Sequence, residues 1–300
     1  MQLILRQYSG MGNQLFQYAA GLYYSKRYGA PMKVVRDHPK RLQSYGYPRP
    51  FMLSHFSITS PVRDLTLFER LIFSPRANLS ALRQAFGIQI FFEPLDQRFT
   101  FLEAVPLHQR TRVLYLYGLW QTFRMVEEVA DQVRSELTVR KPPRIKDLLV
   151  LERIQRSKYP ISLHVRRADY TLAAEGQIAL PMDYYLRAIS IFKERFDNPT
   201  FFVFSDDPVF VRKNLLFDAD AIFVDHNDSL TAHEDLRLMA ACHHHIIANS
   251  TFSWWGAWLN PRSDKIVVAP KHWRLTANSY FPELLPPSWI LLDTAAPGTV

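Results

Sequence analysis

From Ile161 onward the chain alternates short apolar runs with stretches of helical period, and most of the runs end in polar residues. Ile161 to Val165, Thr200 to Phe204, Ala221 to Val224, His245 to Ala248 and Lys265 to Ala269 have the length of buried strands. Met182 to Phe196, Pro208 to Leu216, Ser229 to Cys242 and Phe252 to Leu259 lie between them with helical spacing. Such alternation predicts a parallel sheet with helices on both faces. In that architecture ligands bind at the carboxyl ends of the strands.

The first of these runs turns polar abruptly, as Ser162-Leu163-His164-Val165-Arg166-Arg167-Ala168-Asp169-Tyr170. Alternation along a strand predicts that His164 and Arg166 project one way and Val165 and Arg167 the other. An arginine at a strand tip offers a planar fork for phosphate or carboxylate. The competing reading is a basic strand end in which Asp169 neutralises Arg166 or Arg167. Two further runs end similarly, in Asp206-Asp207 and in Ser250, Thr251 and Ser253. Together these predict a nucleotide-diphosphate pocket. Arg166 would neutralise phosphate charge, the hydroxyls and N–H groups around Ser250 to Ser253 would hold oxygens, and Asp206 or Asp207 would read a guanine edge. Asp206-Asp207-Pro208 equally fits a helix N-cap with proline at N1.

In the first half, Gln2 to Tyr8 reads as a strand and Ser9 to Gln14, with Gly10 and Gly12, as a turn. A helix follows from Leu15 to the stop signals Gly29 and Pro31. Strand, glycine turn and helix can face an anion, but Leu15 replaces the third glycine of a dinucleotide fingerprint. Asn13 and Gln14 are read either as caps or as amides for a polar ligand. Prolines at 39, 48, 50, 61, 75 and 94 break up the next region. Within it, Leu65 to Phe73 and Leu79 to Phe86 read as helices and Lys40 to Pro50 as a loop. A strand is expected at Val113 to Leu119 and a helix at Val126 to Leu137. Lys141-Pro142-Pro143-Arg144 separates two expected domains, 1–144 and 145–300, the second opening on a helix from Ile145 to Arg156.

An excess of 36 Lys+Arg over 28 Asp+Glu gives a net charge of +8, which permits anionic partners. No run of five basic residues occurs, which weakens a nucleic-acid role. Cys242 is the only cysteine, so no disulfide framework exists within the chain. His243-His244-His245 does not have zinc-ligand spacing, and Trp254, Trp255 and Trp258 read as core rather than a sugar platform. No apolar run approaches the ~20 residues that span a bilayer. The expectation is a cytoplasmic protein, at most weakly associated with the inner face of the membrane.

Five blocks together resemble the bacterial-type α-1,2-fucosyltransferases of glycosyltransferase family 11. They are Gly10-Met11-Gly12-Asn13-Gln14-Leu15-Phe16-Gln17, His164 to Tyr170, Pro181-Met182-Asp183-Tyr184-Tyr185, Phe204-Ser205-Asp206-Asp207, and Asn249 to Leu259. The resemblance implies a GT-B fold, two Rossmann-like domains facing a cleft, with the acceptor mainly on the first and GDP-fucose on the second. It implies inverting transfer of L-fucose from GDP-β-L-fucose to the 2-hydroxyl of a terminal β-galactoside, in O-antigen or oligosaccharide synthesis, without a metal. Arg166 would stabilise charge on the departing GDP. His164 and one of Asp206 and Asp207 would hold guanosine, and Ser250, Thr251, Phe252 and Ser253 the pyrophosphate. Asn13, with Gly10 and Gly12, would contact the donor from the other domain. The base stays open, since a loose, oxocarbenium-like transition state needs little base at all: Asp169 is one candidate, though pairing with an arginine would make it weak. Core-fucosylating relatives carry a glutamate where this chain has Ala174, and Glu175 lies one position on. The alternatives are another GDP-sugar transferase on the same fold, or a nucleotide- or RNA-binding protein.

Overall fold

The computed structural model describes residues 1–36, 50–74, 78–167, 179–274 and 280–294. The chain divides into two compact units, Met1–Arg140 and Lys141–Val300.

The first unit runs β1 (Gln2–Gln7), α1 (Met11–Tyr28), β2 (Met32–Arg36), β3 (Val62–Asp64), α2 (Leu67–Ile72), α3 (Ser80–Phe86), β4 (Ile88–Phe92), β5 (Val113–Tyr117), α4 (Phe123–Glu128) and α5 (Ala130–Glu136). Its five strands form a parallel sheet in the order β3-β2-β1-β5-β4. Helix α1 starts at Met11, four residues earlier than expected, because Gly10 is extended and its carbonyl accepts the Gln14 N–H at 3.0 Å. The helix lies close on the sheet: a Cβ at Gly21 would come within 2.8 Å of Leu5. Gly29, at φ +58, ends it in the left-handed conformation. The single helix expected from Val126 to Leu137 is two, broken at Val129. Val126, Val129 and Val133 are all buried, so the apolar spacing runs through the break without showing it. Strands β2, β3 and β4 have no counterpart in the sequence reading.

The second unit runs α6 (Ile145–Arg156), β6 (Pro160–Val165), α7 (Met182–Arg195), β7 (Thr200–Ser205), α8 (Pro208–Asn214), β8 (Asp220–Val224), α9 (Ala232–Ala241), β9 (His244–Ile246), α10 (Thr251–Leu259), β10 (Val267–Pro270) and β11 (Ile290–Leu292). Six parallel strands lie in the order β11-β10-β9-β6-β7-β8. All six residues of β6 are buried, the mark of an interior parallel strand covered on both faces. Tyr184, Tyr185 and Phe192 of α7 pack on one face of this sheet. Trp254, Trp255 and Trp258 of α10 are core residues, as expected. A Cβ at Gly256 would sit 3.0 Å from Met239 Cβ, so α10 and α9 meet closely there.

Asp147 on α6 is fully buried and accepts bonds from Arg144 Nε and His226 Nε2, both at 2.8 Å, and from Asn227 Nδ2 at 3.1 Å. Burial opposes ionisation of its carboxyl, but the Arg144, His226 and Asn227 bonds prevail and hold it below the usual range. A depressed folded-state pKa contributes stability above the unfolded value of about 4 and loses it as pH falls through the folded one. Asp147→Ala is therefore expected to lower unfolding free energy by about 2–3 kcal/mol at neutral pH. The deficit should shrink towards pH 3, as read by urea denaturation at several pH values.

Candidate active site

Strands β7, β6 and β9 lie side by side, so their carboxyl ends bring three polar groups to one edge of the second sheet. Val165 is paired with Ser205, and Leu163 with Ile246. The strand stops at Val165, and Arg166 lies just beyond it rather than alternating along it. Arg166 Nη1 is 3.1 Å from Asp206 Oδ2. Arg167 Nε is 3.2 Å from Asp207 Oδ2, and its guanidinium lies 3.3 Å above the Phe210 ring. The Arg167 backbone N–H donates to Asp206 Oδ1 at 2.8 Å. Each arginine following β6 thus takes an aspartate following β7. Asp207 is the helix cap, accepting the Phe210 N–H of α8 at 3.2 Å, with Pro208 at N1. Asp206 is left to orient Arg166, and each of its oxygens keeps a second acceptor position. Asp169, Ala174 and Glu175 lie outside the described residues.

His164 is 3 % exposed, and its Nδ1 has no hydrogen-bond partner among the described residues. Burial, assisted by the charge of Arg166, pulls its pKa down to about 3, so the imidazole is neutral at physiological pH. Its ring lies 5.3 Å from that of Phe252 on α10, which links the two strand ends. Ser250 is the N-cap of α10, its Oγ accepting the Phe252 N–H at 3.4 Å. Ser253 is buried and donates to Ser250 O at 3.2 Å, which commits its hydroxyl proton to the helix. Thr251 opens the helix and is partly exposed. A guanidinium, a nine-residue helix N-terminus and a neutral imidazole on one sheet edge suit an anion attached to a planar base.

The carboxyl edge of the first sheet is built separately. Asn13 and Gln14 lie inside α1 and neither caps it. Asn13 Nδ2 donates to Ser9 Oγ at 2.8 Å, and its Oδ1 accepts from Gln121 Nε2 at 2.7 Å. Gln14 donates to Ser9 O and Pro50 O, and accepts the Met52 N–H, each at 2.8 Å. Gln14 is thus a pin for residues 50–52, and Gly10 and Gly12 form the start of α1. Ser9 itself is left-handed, at φ +70. Glu93, which the sequence reading missed, accepts the Leu119 N–H at 2.6 Å and the Trp120 N–H at 2.9 Å. Burial raises its carboxyl, against those two bonds, to about 7. A Cβ at Gly118 would strike Glu93 Cβ at 2.4 Å, so that glycine was the available sign of the contact.

The three adjacent histidines have separate partners. His243 Nε2 faces Asp264 at 2.9 Å, His244 Nδ1 accepts the Ile266 N–H at 3.0 Å, and His245 lies between Ser162 Oγ and Asn260 Nδ2. Among the described residues, no group of three His, Cys, Asp or Glu side chains is arranged to hold a metal. Cys242 is buried, and burial pushes its thiol well up. Among the described residues, no helix is long and apolar enough to cross a membrane.

Two parallel sheets flanked by helices, one of them carrying this polar edge, define a GT-B-like fold. The solved structure of NodZ, an alpha-1,6-fucosyltransferase soaked with GDP-fucose, superposes with a TM-score of 0.52 at 18 % identity, over 89 % of this chain and 94 % of that one. The sequence matches glycosyl transferase family 11 over residues 94–290, and the chain belongs to that family. An Alpha-1,2-colitosyltransferase of Escherichia coli is 31 % identical over 308 residues, 97 % of this chain and 99 % of its own length. Galactoside alpha-(1,2)-fucosyltransferase 1 of Saimiri sciureus is 28 % identical over 156 residues, 49 % of this chain and 43 % of its own.

Proposed function

We propose that this chain is an inverting α-1,2-fucosyltransferase that moves L-fucose from GDP-β-L-fucose to the 2-hydroxyl of a terminal β-galactoside. The observation that carries the reading is Arg166 and the α10 N-terminus on neighbouring strands β6 and β9. Two diphosphate charges need such a pair of anion binders. Arg166 offsets the charge that grows on GDP as the glycosidic bond breaks, and the N–H groups around Thr251 and the Ser250 hydroxyl hold phosphate oxygens. His164 faces the nucleoside as a neutral hydrogen-bonding ring, with Asp206 on the guanine edge. The acceptor hydroxyl gives up its proton as the new bond forms. Asp169→Asn and Glu175→Gln, assayed separately, test whether either carboxylate receives it.

The colitosyl relative favours a second reading, transfer of colitose rather than fucose through the same α-1,2 linkage. Turnover of lactose with GDP-fucose, GDP-colitose, GDP-mannose and UDP-galactose separates the readings. The proposal expects GDP-fucose to give the highest kcat/KM; a lead for GDP-colitose would replace it with the second reading. In this mechanism Arg166 supplies the positive charge at the leaving group, so activity should survive EDTA. Loss of turnover restored by magnesium would contradict it.

A further inference from the structure

Two short helices of the first unit leave an apolar surface uncovered. Leu67, Phe68 and Leu71 of α2 are 82 %, 59 % and 57 % exposed, and Leu82 and Phe86 of α3 are 39 % and 58 % exposed. On each helix these residues fall within an arc of about 100°. The opposite side is used: Ile72, Phe73 and Leu79 pack into the core around Ile4, Val35 and Tyr115. Arg83 of α3 joins the two helices, donating from Nε to Ile72 O at 2.7 Å and from Nη2 to Ser74 O at 2.6 Å. A lone exposed leucine needs no explanation, but five large side chains on two joined helices do.

The next face of α3, through Ala81, Gln84 and Ala85, lines an open hollow together with Arg110 and Arg112. Gly87, at φ +65, turns α3 directly into β4, and a Cβ there would come 2.5 Å from Arg110 O. The arginine-bearing segment is therefore held tightly against the end of the helix. Arg27, Arg36 and Arg63 of the same unit are paired with Glu103, Asp64 and Glu69. Arg110 and Arg112 have no carboxylate partner among the described residues. Uncompensated guanidinium groups bordering an apolar helix face complement anionic headgroups above acyl chains.

We propose that the α2–α3 face of the first unit docks on an anionic phospholipid bilayer. The leucines and phenylalanines enter the acyl boundary, and Arg110 and Arg112 meet headgroup phosphates. The net charge of +8 acts in the same direction. The proposal stands on this surface and does not depend on the donor or acceptor.

The test is co-sedimentation of the whole protein with vesicles of phosphatidylglycerol and phosphatidylethanolamine, against vesicles of phosphatidylcholine. Binding to the anionic vesicles, weakened by salt, is expected. Leu71→Ser combined with Phe86→Ser should abolish it. Arg110→Ala combined with Arg112→Ala should weaken it by roughly 5-fold per arginine. Circular dichroism and the urea unfolding transition serve as the folding control and should stay close to wild type in both variants. Equal binding to both vesicle types, no binding, undiminished binding of the arginine variant, or a Leu71 and Phe86 variant that still sediments would overturn the proposal. So would a wild-type dimer in analytical ultracentrifugation that the Leu71 and Phe86 substitutions dissociate, since a second copy would then cover the face.

Discussion

Replacing Arg166 with alanine is expected to lower kcat with GDP-fucose by roughly 100-fold or more, the scale of removing one donor aimed at developing charge. Its loss should fall on kcat more than on KM, because the charge it faces grows only as GDP departs. Fold stability should barely change. The Arg166–Asp206 pair has side chains 27 % and 21 % exposed, and a partly exposed pair contributes about 0–1 kcal/mol. Arg166→Lys should recover part of the rate, since it keeps the charge but loses the fork. Asp206→Asn should slow turnover less than Arg166→Ala, because it frees the guanidinium without removing it. Near-normal turnover of Arg166→Ala in steady-state assays would remove the residue from the mechanism.

The second large effect concerns the tryptophans. Trp254 is fully buried, donates Nε1–H to Leu284 O at 2.9 Å, and stacks with Trp258 at 6.2 Å between centroids. Trp254→Ala is expected to lower unfolding free energy by about 3–5 kcal/mol, the cost of emptying a large aromatic site. Urea denaturation and GDP binding should report the damage together, because α10 also presents Ser250 and Thr251. Trp254→Phe should restore much of the stability with KM for the galactoside unchanged. A sugar platform would behave oppositely, with intact stability and a raised KM for the acceptor.

The second unit was far more legible than the first. Its strands are interior, so their apolar runs are continuous, and the expected β6 and β7 match the observed strands closely. In the first unit β1 and β5 were legible, and the strands that were not include the short and edge ones. β3 is three residues long and half-covered, and Ile88–Phe92 is an edge strand with only Gln89 buried. β11 is likewise a three-residue edge strand. The polar edge was readable because every contributor sits at a strand end. Pairing was not readable: register alone places Asp206 and Asp207 opposite Arg166 and Arg167. Asn13 and Gln14 were misread as turn residues because a glycine-rich segment conceals a helix that already begins at Met11. Glu93 was missed with its strand, and only the adjacent Gly118 marked it.

A crystal structure of the protein with GDP bound tests the central claim most directly. The account predicts the diphosphate at the carboxyl edge of the second sheet, with Arg166 nitrogens about 2.7–2.9 Å from its oxygens and the α10 N-terminus on its other side. GDP bound elsewhere, with Arg166 still turned to Asp206, would contradict it.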